Sequence, residues 1–231
     1  MIDLADIRSA TSEKLLGYLN SSERANAPEV LWYAGHPELL SQLPRVSIVG
    51  SRTASAEALR RAAKLAAQLV AHGVTIVSGL ARGIDGAAHR SAIENGGRTI
   101  AVIGTPLDRA YPPEHAELQW LIAREHLLVS QFPVGHPVSR SNFPRRNRTM
   151  ALLSHATVIV EAGETSGTLS QGWEALRLGR PLFIMRSVAE DQRLKWPRKM
   201  LDYGGLVLSE AEEVRESLPP PGGGAYATAP F

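Results

Sequence analysis

Residues 45–85 constrain this chain more than any other stretch. They open with the apolar run RVSIV, which ends in Gly50-Ser51-Arg52, and close with VTIVSGLARGID, a second apolar run that ends in Ser78-Gly79. Between them Leu59, Ala62, Ala63, Ala66, Leu69 and Val70 recur at three- and four-residue spacing, the period of one helix face. Two short β-branched runs joined by such a helix pair in parallel through a right-handed crossover. Both runs end in small residues at a turn into a helix, where open α/β sheets bind their ligands.

The same alternation extends along the chain. Further strands are expected at 29–34 (an edge strand), 99–103, 127–130, 157–161 and 181–185, and helices at 4–19, 84–94, 114–125, 145–154 and 169–178. Beyond these the pattern weakens to a helix at 193–203, a strand at 206–208 and a helix at 210–218. Strands alternating with helices give an α/β fold with a doubly wound, mainly parallel sheet and helices on both faces. Residues 1–28 then form an N-terminal helical segment and 29–218 the main domain. The tail 219–231, PPPGGGAYATAPF, cannot bury a core and is expected to be disordered.

Composition narrows the function. A chain of 231 residues, 44% hydrophobic, can bury one full core. The absence of cysteine excludes disulfides and thiolate metal sites and suits a reducing, cytoplasmic setting. No apolar run long enough for a signal peptide or a membrane span occurs at the N-terminus. Net charge is only +2, but 21 of the 25 basic residues are arginine, and four of them (Arg140, Arg145, Arg146, Arg148) crowd into SRSNFPRRNR without an acid.

Three strand-to-helix turns combine glycine with hydroxyls: GSRTAS, SGLARGID and GETSGT. Helix starts carry unpaired N–H groups and partial positive charge, so turns of this kind hold phosphates. One such turn is ordinary loop chemistry. Three on one sheet, with Arg52, Arg82 and the arginines of NFPRRNR, describe an anion pocket. No GxGxxG or GxxxxGK[ST] fingerprint is present, so neither a dinucleotide nor a nucleoside triphosphate is indicated. The seven histidines show no metal-ligand spacing, and His89 and His155 read as helix residues with local hydrogen bonds. Ser166 lies outside any GxSxG elbow. Asp85 and Glu161 fit caps or arginine partners.

The phrases SIVGSR, VSGLARGIDGAAHRSAIENGGRTIAVIGTPLDRAYPPEH and NFPRRNRTMALLSHATVIVEAGETSGTL resemble the DprA/Smf family, the bacterial DNA-processing protein A. The resemblance implies an extended Rossmann-like domain that binds single-stranded DNA and forms a homodimer. It also implies a role in recombination and natural transformation, with the recombinase RecA as a partner, and no catalytic step, cofactor or metal. Transferred position by position, its strand-binding pocket comprises Ser51 and Arg52, then Ser78, Gly79, Arg82 and Gly83. The arginine-rich loop adds Asn142, Phe143, Arg145, Arg146, Asn147 and Arg148, and the last turn Ser166 and Gly167. Arginines would hold phosphates and Phe143 would stack a base, whereas Tyr111 reads as structural.

Some features depart from the family. About 28 residues precede the first strand, too few for its complete N-terminal helical domain, and the tail is too short for its winged-helix domain. After GETSGT the sequence drifts, which leaves RecA contact and dimer geometry open. Two alternatives use the same pocket. One is a LOG-like phosphoribohydrolase acting on nucleoside monophosphates, recognised by PGGxGTxxE; here Gln171 occupies the glutamate position, an amide that cannot exchange protons, and Glu174 lies one turn away. The other is a regulatory module that senses a small nucleotide.

Overall fold

The computed structural model describes residues 2–42 and 44–220. The sheet is built from β1 (Arg8–Thr11), β2 (Val30–Gly35), β3 (Arg45–Val49), β4 (Thr75–Ser78), β5 (Thr99–Ile103), β6 (Leu127–Ser130), β7 (Ala156–Ile159), β8 (Leu182–Met185) and β9 (Leu206–Leu208). Their spatial order is β1-β2-β6-β5-β4-β3-β7-β8-β9. From β3 to β9 and from β4 to β6 every pairing is parallel; β1 and β2 run antiparallel at one end. The chain thus steps outward from β3 through β4, β5 and β6, then returns past β3 to β7, β8 and β9. The reversal lies between β3 and β7, which pair from Val46↔Ala156 to Val49↔Ile159. Such a switch point opens a crevice at the carboxyl ends of its two strands.

Helices cover both faces. On one, α3 (Ala56–Ala71) and α4 (Ile84–Glu94) pack over Val46, Ile48, Ile76 and Val158. On the other, α6 (Asn142–Leu153) and α7 (Thr168–Arg177) cover Val49, Val77, Val102 and Ile159. The central strands β3, β4, β5, β6 and β7 are buried at every position, which is why they read as continuous apolar runs. In α3 the buried stripe is Ala58, Ala62, Leu65, Ala66 and Leu69; Ser55 caps its start, accepting from the Ala58 amide at 3.1 Å. The remaining helices in chain order are α1 (Ser12–Leu16), α2 (Ser21–Asn26), α5 (Ala116–Glu125), α8 (Arg186–Ala189), α9 (Trp196–Asp202) and α10 (Ala211–Glu216).

The N-terminus differs from the expected helix over 4–19. A single 3₁₀ turn (Leu4–Asp6) is followed by β1, and only α1 is helical. Strand pairing overrides local preference: Arg8–Thr11 aligns residue by residue with β2, and Gly17 ends α1 at φ +77°. Consequently β2 lies between β1 and β6 rather than at an edge. A buried ion pair, Arg180 Nη2 to Glu23 at 2.8 Å, fastens α2 to the sheet layer. The helix α8 is absent from the sequence reading, and α6 begins three residues earlier than expected, with Pro144 in its first turn. Of the expected disordered tail, residues 221–231 lie outside the described residues.

Of the buried histidines, His89 and His155 are the two singled out by the sequence. His89 lies in α4, and the Thr99 hydroxyl, which donates to the Ile76 carbonyl at 2.9 Å, accepts from its Nδ1 at 2.6 Å. That fixes the proton on Nδ1 and leaves Nε2 without a partner among the described residues. His155 is not helical but follows the α6 C-cap, where its Nδ1 accepts from the Arg45 amide at 3.0 Å. Burial pushes both imidazoles down to about 3, helped by neighbouring His115 at His89 and by Arg45 at His155. Unfolding frees them to bind protons below about pH 6.5, so stability is full above that value and is lost as pH falls toward 3. Between pH 7.5 and 5 each histidine should remove about 2 kcal/mol from the unfolding free energy. Urea unfolding across that range checks this; a flat profile would contradict neutral burial.

Candidate nucleic-acid interface

The three glycine turns meet at the carboxyl ends of β3, β4 and β7 because their backbones bond to one another. The Ser51 amide donates to the Glu161 carbonyl at 2.7 Å, and the Ile84 amide donates to the Ser51 carbonyl at 3.3 Å. The Thr168 hydroxyl donates to the Gly50 carbonyl at 2.9 Å. Glu161 caps α3, its carboxylate accepting from the Ser55 amide at 2.9 Å and hydroxyl at 2.7 Å. Close approach demands glycine at two places. A Cβ on Gly83, at φ +71°, would stand 2.2 Å from the Ser51 carbonyl oxygen, and one on Gly79 would stand 2.1 Å from Arg146 Nη1.

Arg146 is the floor of this arrangement. It is 6% exposed, and its Nη1 donates to the carbonyls of Gly79 at 2.5 Å and Val102 at 2.9 Å. Its Nε donates to Asn147 Oδ1 at 2.9 Å, and Asn147 Nδ2 in turn donates to the Gly167 carbonyl at 3.1 Å and to Ser170 Oγ at 2.6 Å. One adjacent pair of side chains on α6 therefore joins the second turn to the third. Asp85, also buried, accepts from the Gly79 and Ala81 amides at 3.2 and 3.3 Å. Burial pushes the Asp85 carboxyl up and the Arg146 guanidinium down, and their mutual attraction opposes both shifts. The cation whose charge Asp85 feels is thus Arg146, whereas Arg82 pairs with Glu114.

Above this floor lies a cleft of about 530 Å³. Of the residues expected at the site, Ser51, Arg52, Phe143, Arg146, Asn147, Ser166 and Gly167 line it. Arg52 is exposed and forms no ion pair among the described residues; its guanidinium carbon sits 5.4 Å from the Phe143 ring centroid. Phe143 is half-buried and makes a tilted contact with Tyr111, centroids 5.4 Å apart. Tyr111 is 45% exposed, so it extends an aromatic ledge that local sequence reads as structural. On the opposite wall α7 starts at Gly167, where a Cβ would meet only open space; the Thr168 amide donates to Ser166 Oγ at 3.2 Å and the Leu169 amide to the Ser166 carbonyl at 3.1 Å. The hydroxyls of Thr53, Thr165, Thr168 and Ser170 also line the cleft, as do Asp85 and Gln171; the four hydroxyl residues lie in, or within two residues of, turns already marked by their hydroxyl content.

The other expected residues do not line the cleft. Ser78 is buried, donating to the Ile48 carbonyl at 2.7 Å, and Gly79 and Gly83 frame the turns. Arg82 is ion-paired with Glu114. Asn142 is buried against Ser139 and the Pro137 carbonyl, and Arg145 lies over the Phe132 ring at 5.1 Å. Arg148 sits on the rim, 3.3 Å from Glu174, which also holds Arg177. Gln171 is fully buried, its nitrogen 2.6 Å from the Asn147 carbonyl and its oxygen 3.3 Å from the Ala151 amide. An amide so engaged offers no proton-transfer group to the cleft. Among the described residues no cluster of metal-ligating side chains occurs and no helix is long and apolar enough to cross a membrane.

The sequence pattern of the DNA recombination-mediator protein A family matches residues 17–219. The chain belongs to that family. It is 40% identical to protein Smf of Synechocystis over 199 residues, 85% of this chain and 50% of that one. Its fold matches DNA processing protein A of Streptococcus pneumoniae with a TM-score of 0.79 and 33% identity, covering 91% and 74% of the two chains. It also matches DNA processing protein A of Helicobacter pylori, a structure described by its single-stranded DNA-binding mode, with a TM-score of 0.77 and 25% identity, covering 91% and 94%. The chain therefore spans half the length of the Synechocystis protein and nearly all of the chain in the Helicobacter pylori structure. A Cβ at Gly79 would press on both Arg146 Nη1 at 2.1 Å and Asp85 Oδ2 at 2.7 Å. Gly79→Ala should displace the buried Arg146 guanidinium and cost about 1–3 kcal/mol in urea unfolding. Arg52→Ala should leave the unfolding midpoint unchanged; the reverse ranking would contradict the assigned roles.

Proposed function

We propose that the chain is a non-enzymatic single-stranded DNA-binding protein that acts in DNA processing and recombination, with natural transformation as the setting. The observation that carries this is the pairing of Arg52, which has no ion-pair partner among the described residues, with the face of Phe143, opposite the hydroxyl-rich start of α7. An arginine and a helix start hold phosphate, and an aromatic face receives a base. A base is free to stack only when it is unpaired, so the combination favours single strands over duplex. Family likeness supports the same reading and brings with it a homodimer and delivery of the strand to RecA.

The cleft itself holds few phosphates. Arg146 is consumed by carbonyls, and Arg82 and Arg148 are engaged by Glu114 and Glu174. With roughly two or three phosphates neutralised, the logarithm of affinity should fall with the logarithm of salt at a slope of about −1.4 to −2.1. Fluorescence anisotropy with a labelled mixed-sequence oligonucleotide, single-stranded and as duplex, measures this. Single strands should bind more tightly; Arg52→Ala should weaken binding about tenfold, and Phe143→Ala by about 1–3 kcal/mol. Arg148→Ala should have a smaller effect. Unchanged binding by the Arg52 and Phe143 variants would overturn the assignment, and stronger competition by a nucleoside monophosphate would point to a small ligand instead.

A further inference from the structure

A second cleft opens on the same edge of the sheet. It lies beyond the carboxyl ends of β8 and β9, which run parallel to β3 and β7, and is walled by the N-terminal half of α3. At about 660 Å³ it is larger than the first. Its floor is apolar (Leu65, Met185, Leu208), and four cations surround it: Arg60, Arg61, Lys64 and Arg186. Three carboxylates also reach it, Glu57, Glu190 and Glu210, so the balance is positive by one charge.

The distribution of that charge matters more than the sum. Arg60 and Arg61 share the single carboxylate of Glu57, and Arg186 reaches Glu190 only at 3.4 Å while its Nε donates to Ser209 at 3.0 Å. Lys64 has no ion-pair partner among the described residues. Exposed pairs of this kind are weak and rearrange readily, so an incoming anion can compete for them. Arg60 and Lys64 lie four residues apart on α3, a rise of about 6 Å along its axis, with Arg61 beside Arg60 on the same turn, and so present cations in a row. A ligand with evenly repeated single negative charges suits a row better than a compact dianion does.

The two clefts are close. Thr53 lines the first and Glu57 the second, and four residues of chain span at most about 14 Å. The first turn of α3, pinned by Ser55 to Glu161, joins them. We propose that the second cleft is a phosphodiester-binding site that receives the DNA strand after it leaves the first. This rests on the single-strand reading above, and it assigns to Arg60, Arg61, Lys64 and Arg186 phosphate contacts without base contacts.

The test compares a thymidylate hexamer, long enough for the first cleft alone, with a thymidylate oligonucleotide of about 30 residues. In Arg60→Ala/Lys64→Ala, affinity for the longer strand should fall about tenfold and the magnitude of its salt slope should drop by about 1.4, two phosphates' worth. Hexamer binding should be unchanged. Because the chain has no cysteine, Gln68→Cys places a single thiol in the second cleft with all four cations kept. A long strand carrying a disulfide-activated backbone should cross-link to it, and the hexamer should not. Equal binding of the long strand by wild type and the double variant, with no cross-link, overturns the second site while leaving the first intact. Failure of wild type to bind even the hexamer removes the single-strand reading itself.

Discussion

The guanidinium of Arg146, buried beneath the cleft, is the interaction on which the rest of the site depends. A charge in a low-dielectric interior is costly unless its donors are met. Here the Gly79 and Val102 carbonyls and the Asn147 amide oxygen meet them, with the Asp85 carboxylate supplying opposite charge. Each partner belongs to a different part of the chain: the turn after β4, strand β5 and helix α6. The requirement to satisfy one cation therefore fixes the relative positions of elements that are far apart in sequence. Asn147 extends the constraint to the turn after β7, and the Ser51–Glu161 and Thr168–Gly50 bonds close the ring around the turn after β3. The sheet's switch point provides the crevice, and Arg146 gives it a shape.

A rigid floor divides the arginines by task. Arg146 is spent on architecture, and Arg145 rests on Phe132. Arg82 and Arg148 hold acids on the rim. Among the described residues only Arg52 lines the cleft without a carboxylate partner, and it does so over an aromatic ring. This economy explains how a chain with a net charge of +2 can offer a phosphate site: what counts is one unneutralised cation beside a hydroxyl-rich helix start, not the overall balance. The second cleft follows the opposite pattern, with several weakly neutralised cations over an apolar floor and no aromatic side chain in its lining.

Much of the fold is readable because the central parallel strands are buried on both faces and stand out as apolar runs, which places 99–103 and 127–130 to the residue; the edge strand 206–208 is placed as well, although two of its three residues are exposed. β1 is not, since half-exposed Arg-Ser-Ala-Thr carries no period of its own and becomes a strand only by pairing with β2. At the site, the turns were recognisable from glycine and hydroxyl content, but the roles of neighbouring arginines were not. The signal existed in part: Arg146 lies on the same helical stripe as Met150 and Leu153, both buried, whereas Arg145 and Arg148 point away from it. Tyr111 gave no such hint, because its partner Phe143 is brought to it by the sheet and not by local spacing.

The most direct measurement is amide chemical-shift mapping of the ¹⁵N-labelled chain titrated with a thymidylate hexamer. The account places the largest shifts at Arg52 and Thr53, at Thr165 through Ser170 around the start of α7, and at Phe143 and Tyr111, with Gly79 and Arg146 moving little because the floor is already formed. Shifts concentrated elsewhere on the surface, for example around Trp120 on α5, with these residues unmoved, would contradict it.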